Sequence, residues 1–145
     1  MGETLKITGL TAEDIQTLRP LLLEFARRPL EKTGAIRYMT PEHVLQFCLE
    51  RDWQCWIVMD KEAIHAALFT SVKVHPTGYR SFVVELAGGR DAKRWAAMAC
   101  EVMKRYAIAN GCSELVATGR VGWKRLLTHE QAEENAELRL ELKDG

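Results

Sequence analysis

The chain has 145 residues, the length of one ordinary domain, enough to bury a core without disulfide or metal staples. Its 20 basic and 20 acidic side chains cancel, which argues against a nucleic-acid partner, because such proteins carry a basic excess. Hydrophobic residues at 47% and charged residues at 28% are those of a globular protein, and no apolar run is long enough for a membrane span. Met1 to Lys6 reads neither as a signal peptide nor as a myristoylation site, since Lys6 stands where Ser or Thr is required, so a cytoplasmic location is expected.

Leu5 to Thr8 alternates apolar and polar residues, the pattern of a short strand. Thr11 then offers a helix N-cap, with Glu13 and Asp14 in the positive first turn. Ile15, Leu18, Leu22 and Phe25 recur at helical spacing, Pro20 predicts a kink or break, and Pro29 is expected to end the segment. Leu30 to Met39 reads as a loop. Thr40-Pro41 predicts a second helix, a cap followed by proline at the first helical position, with Val44, Phe47 and Cys48 on its buried face.

Three strands are expected next, over Gln54 to Met59, Ala63 to Val74 and Tyr79 to Ala87, joined by turns at 60–62 and 75–78 into an antiparallel meander. Gly88-Gly89-Arg90 is expected to break the third strand, and Asp91 to cap a helix whose apolar stripe is Trp95, Met98, Ala99, Val102, Met103 and Tyr106. Asn110-Gly111 ends that helix, and Glu114 to Thr118 forms a strand. The helical crossover places this strand parallel to the one through Phe82. Arg120 to Leu127 reads as a short helix, and His129 to Asn135 as a polar, acidic stretch. Ala136 to Lys143 alternates as an edge strand, with Leu138, Leu140 and Leu142 on one face. No repeat or linker interrupts the chain, so residues 1–145 are expected to form a single domain.

This order of elements, with the runs Ala107 to Leu115 and Gly119 to Leu127, resembles the GCN5-related N-acetyltransferase superfamily. The second run is similar to short, divergent members encoded by phages and prophages. The resemblance implies an α/β fold with a mixed, mostly antiparallel twisted sheet flanked by helices on both faces. It also implies transfer of acetyl from acetyl-CoA to a primary amine of an unspecified acceptor. In such proteins glycines and a helix N-terminus at the end of the central strand hold the cofactor diphosphate, through backbone N–H groups and the helix dipole. Carried over by position, Leu86, Ala87 and Gly88 would flank the pantetheine, Gly89 and Arg90 would face the diphosphate, and Lys93 and Arg94 would add positive charge.

Glu85 is the general-base candidate, because an acceptor ammonium must lose a proton before it can attack a thioester. The plain alternative is a carboxylate on an exposed strand face. His43, His65, His75 and His129 form no pair that suggests a metal site, and none of them lies at zinc-ligand spacing from Cys48, Cys55, Cys100 or Cys112, which read as buried reduced thiols.

The chain also departs from the family pattern. The usual Gln/Arg-x-x-Gly-x-Gly/Ala loop would fall on Asp91 to Ala96, where only Ala96 fits. Leu127 stands near the usual acid Tyr, and Gln131-Ala132 replaces a Gly-Phe pair. These departures support a second reading, a catalytically inactive module of the same fold serving interaction, such as a minor virion component that contacts other phage virion proteins through the acidic strip Glu130 to Glu137. The alternating C-terminal strand offers an edge through which a homodimer could form.

Overall fold

Thr11 opens the helical part of the chain as its sequence context predicts. Its hydroxyl accepts from Asp14 N and the Asp14 carboxylate accepts from Thr11 N, both at 3.1 Å, a reciprocal capping box. The computed structural model describes residues 4–117 and 138–142. Strand β1 (Lys6–Gly9) precedes the cap and helix α1 (Ala12–Thr17) follows it. The chain breaks at Leu18, and α2 (Arg19–Thr33) restarts with Pro20 in its first turn, where a missing N–H leaves no bond unmade.

Pro29 does not end this helix. It lies buried inside α2, which runs to Thr33 and stops at Gly34, a left-handed residue with φ of 81°. Four residues of the expected loop are therefore helical, and Ala35–Arg37 forms a 3-10 turn. Pro29 has no N–H to give to the carbonyl of Phe25, four residues back. That carbonyl instead faces Gly88, where an added Cβ would lie 1.8 Å from the Phe25 oxygen. The Gly88 Cα–H is thus aimed at an acceptor that the helix leaves open, a weak interaction only glycine permits here.

Helix α3 (Pro41–Leu49) starts as expected. Thr40 Oγ1 accepts from His43 N at 3.3 Å, and His43 Nδ1 accepts from Thr40 N at 3.0 Å, so histidine takes the role usually given to Glu in the capping box. Strands β2 (Trp53–Met59), β3 (Ile64–Val74) and β4 (Arg80–Gly89) form the meander. The expected break at Gly88-Gly89 is absent: β4 continues through both glycines. Helix α4 (Ala92–Ala109), β5 (Glu114–Ala117) and β6 (Leu138–Glu141) complete the described elements. The sheet order is β1-β2-β3-β4-β5-β6, with β1 antiparallel to β2, β4 parallel to β5, and β5 antiparallel to β6 at the edge. The parallel pairing and the terminal edge strand match the sequence expectation.

The chain divides into two compact units. The first holds residues 1–70 and 86–91, the second 71–85 and 92–145; β3 leaves the first after Thr70 and β4 re-enters it after Glu85. In the first, Leu22, Ala26 and Leu30 of α2 meet Val44, Leu45 and Cys48 of α3 over Ile57, Phe69 and Leu86 of the sheet. Burying such side chains stabilises by roughly 1.5–3 kcal/mol each. In the second, Val84 is in register with Ala117, and Phe82 packs on Tyr106 of α4 with ring centroids 5.5 Å apart. Of the expected stripe of α4, Trp95, Ala99 and Met103 are buried and Met98, Val102 and Tyr106 half-buried; Ala96, Cys100 and Ala107 complete the buried face.

The expected helix over 120–127, the acidic stretch over 129–135, Trp123, and the positions Leu127 and Gln131-Ala132 lie outside the described residues. Among the described residues no helix is long and apolar enough to cross a membrane.

Candidate functional site

Strand β4 carries most of the residues singled out from the sequence. Its burial alternates as a pleat requires, with Val84, Leu86 and Gly88 buried and Glu85 and Ala87 half-buried between them. Glu85 is therefore not a freely solvated carboxylate. The Ser71 hydroxyl, itself buried, donates to Glu85 Oε2 at 2.7 Å. This bond crosses from β3 to β4, ties down one carboxylate oxygen, and leaves Oε1 to meet a proton.

Leu86 belongs to the core of the first unit, so its side chain is engaged in packing and only its backbone could meet a ligand. The two glycines are used by the fold. Gly88 lies against the Phe25 carbonyl, and a Cβ on Gly89, whose φ is 142°, would come within 2.4 Å of His65 O. Arg90 N donates to His65 O at 3.0 Å, so this backbone N–H is committed to β3 and cannot bind phosphate. Only Arg90 and Asp91 separate β4 from α4. Asp91 takes a left-handed backbone (φ 58°), not the extended one usual for an N-cap. Both glycines are thus in close contact with backbone of neighbouring elements. Lys93 and Arg94 are exposed in the first turn of α4.

Within the first unit, a cleft of about 240 Å³ opens beside the end of β4. Leu21 and Phe25 of α2 and Ile64 of β3 give it apolar walls, and Glu24, Arg28, Gly89 and Arg90 give it polar ones. Arg90 thus faces a real concavity. Arg28 was not legible as a site residue, because an exposed arginine on a helix carries no signal for what lies across from it.

His65 is buried, and its Nε2 lies 2.7 Å from Asp60 Oδ2. Asp60 Oδ1 accepts from Glu62 N at 2.8 Å and from Ala63 N at 3.0 Å, closing the β2–β3 turn. An aspartate opening a four-residue turn is the one signal that could have revealed this pair. His75 is less solvated than a turn position suggests: its Nε2 lies 2.8 Å from the buried Ser81 hydroxyl, which donates to the buried Glu114 carboxylate.

The four cysteines are buried and free. A hydrogen bond with the Cys48 sulfur, together with burial, pushes the Cys55 thiol well up, and burial pushes the Cys112 thiol up against the opposing charge of Arg80. These are the surroundings of inert thiols. Among the described residues no group of three or more His, Cys, Asp or Glu could hold a metal ion.

The architecture is that of the GCN5-related N-acetyltransferase fold. No family model matches the chain, and no curated protein matches it in sequence. Solved structures of this fold do match. A ribosomal-protein-alanine N-acetyltransferase from Brucella melitensis biovar Abortus 2308 is similar at a TM-score of 0.64 and 20% identity, over 91% of this chain and 94% of the other. A predicted acetyltransferase from Clostridium acetobutylicum, solved with acetyl-CoA, is similar at 0.67 and 14%, over 90% and 92%. AtaT complexed with acetyl-methionyl-tRNAfMet is similar at 0.57 and 12%, over 95% of each chain. At these identities the likeness shows the fold.

Proposed function

We propose that the chain is an N-acetyltransferase that uses acetyl-CoA to acetylate a primary amine. The observation that carries this reading is Glu85, a half-buried carboxylate held at one oxygen by Ser71, on the central strand of a fold shared end to end with acetyltransferases. The acetyl group would arrive as the coenzyme thioester. Glu85 Oε1 takes a proton from the acceptor ammonium, and the neutral amine gains the lone pair it needs for attack. Ser71 keeps the carboxylate in one orientation while this happens. The backbone of Leu86 and Ala87 flanks the pantetheine, and Arg90, Lys93 and Arg94 supply cationic charge for the phosphates. Gly88 and Gly89 contribute by letting α2 and β3 approach β4, in place of cradling phosphate.

The acceptor belongs to the amines on which this fold acts elsewhere. Similar structures include a ribosomal-protein-alanine N-acetyltransferase and AtaT complexed with acetyl-methionyl-tRNAfMet. The zero net charge of this chain favours the protein or small-molecule amine.

A second reading has its own observation. The Arg90 N–H is committed to His65 O, and only two residues connect β4 to α4, which leaves little loop to wrap a phosphate. On that basis the chain would be an inactive interaction module, such as a virion component of a phage.

Thermal melting with acetyl-CoA separates the two. A hundredfold excess over the dissociation constant stabilises the native state by about 2.7 kcal/mol, a rise of about 5–10 °C for a chain of this size. No shift at millimolar acetyl-CoA sinks the transferase reading. Given binding, Glu85→Gln should keep the shift and lower turnover by about 10²–10⁴-fold, the usual contribution of a positioned base. An unchanged rate removes Glu85 from the chemistry.

A further inference from the structure

We propose that Arg28, on α2, forms with Arg90 the seat for the coenzyme diphosphate in the cleft of the first unit. This inference rests on the transferase reading and adds a residue that no part of the sequence pointed to. A diphosphate needs hydrogen-bond donors and positive charge. At the end of β4 the Arg90 N–H is bonded to His65 O, and Gly88 and Gly89 are packed against α2 and β3. Side chains are the other source, and two arginines from different elements line the cleft.

The local charges leave Arg28 available. Glu24, one turn back on the same wall, is paired with Arg27, and Arg27 also reaches Glu31 at 4.0 Å. Among the described residues no carboxylate pairs with Arg28. An exposed arginine with its nearest helical acid already engaged binds a phosphate without first breaking an ion pair. Guanidinium suits this task, because its planar donors meet two phosphate oxygens at once. The size also fits. At about 240 Å³ the cleft falls below the roughly 300–1,000 Å³ of pockets that enclose a drug-sized molecule, so it takes one segment of a ligand and leaves the rest outside.

The test is isothermal titration of the full chain with acetyl-CoA, with inorganic pyrophosphate, and with pantetheine, which has no diphosphate. Arg28→Ala should weaken acetyl-CoA and pyrophosphate at least about tenfold, the loss expected for one charge-assisted hydrogen bond, and leave pantetheine unchanged. Arg28→Lys should recover part of the loss. Lys32→Ala, which removes an exposed charge of α2 that does not line the cleft, should stay within about twofold of wild type, apart from the general screening effect seen on raising salt. Acetyl-CoA binding that is indifferent to Arg28→Ala overturns the inference and leaves the transferase reading standing. Pyrophosphate binding that depends on Arg28 in a chain that ignores acetyl-CoA supports the anion seat and overturns its assignment to the coenzyme. A wild-type chain that binds none of the three probes overturns both.

Discussion

Gly88 and Pro29 illustrate how two residues far apart in sequence become one feature. Proline inside α2 takes away the donor for Phe25 O, and glycine on β4 brings a Cα–H to that oxygen. Gly88→Ala places a methyl group 1.8 Å from a backbone oxygen, so α2 and β4 must part. We expect a loss of about 3 kcal/mol, the upper end of overpacking penalties, measured by urea denaturation. A loss below about 1 kcal/mol would mean that the two elements are less tightly apposed than the geometry requires. Glu85 gives the contrasting case of a residue whose place was legible and whose state was not. Alternation put it between two buried positions, yet its bond to Ser71 joins residues 14 apart and has no local signature.

At the scale of elements, caps were the most readable signals. Thr11 and Thr40 both close reciprocal boxes, because a β-region hydroxyl followed by helical residues satisfies N–H groups that would otherwise be orphaned. Thr40→Ala should cost about 1 kcal/mol in urea denaturation, and Thr40→Ser much less. Equal losses for the two would mean that the methyl, not the hydroxyl, matters. The end of α2 departs from its local signal for an opposite reason. Proline disfavours a helix interior locally, but Leu30 and Pro29 itself are buried, and tertiary packing outweighs the missing bond. The same override carries β4 through two glycines that, taken alone, spell a turn.

For the whole molecule, the pH dependence follows from the buried thiols. The Cys55 thiol is held protonated in the folded chain, first by its bond with the Cys48 sulfur and then by burial. In the unfolded chain it ionises near the ordinary value of about 8.5. A raised folded value means that its stabilising contribution is complete below pH 8.5 and shrinks as the pH climbs above it. The stability advantage of wild type over Cys55→Ala should therefore narrow in alkaline solution, by up to about 1.4 kcal/mol per pH unit, as followed by denaturation from pH 7 to 10. An advantage that stays constant over that range would show that the thiol is not retained in its protonated form. The chain is read as one domain, so we also expect a single cooperative unfolding transition, with fluorescence and far-UV circular dichroism superimposing; two separated transitions would contradict that reading.

Read alone, the amino-acid sequence orders most of the described elements. Caps, apolar periodicity and turn residues act over three or four neighbours, and that range suffices to reveal the meander, the crossover helix, the parallel pair and the edge strand. It also marks β4 and its carboxylate as the place to look. Tertiary structure alone decides what the marked residues are free to do. The glycines meet backbone from α2 and β3, the Arg90 N–H is taken by His65, and Arg28 arrives beside Arg90 from an element some sixty residues earlier. Such contacts depend on which surfaces close packing brings face to face, and no local pattern encodes them.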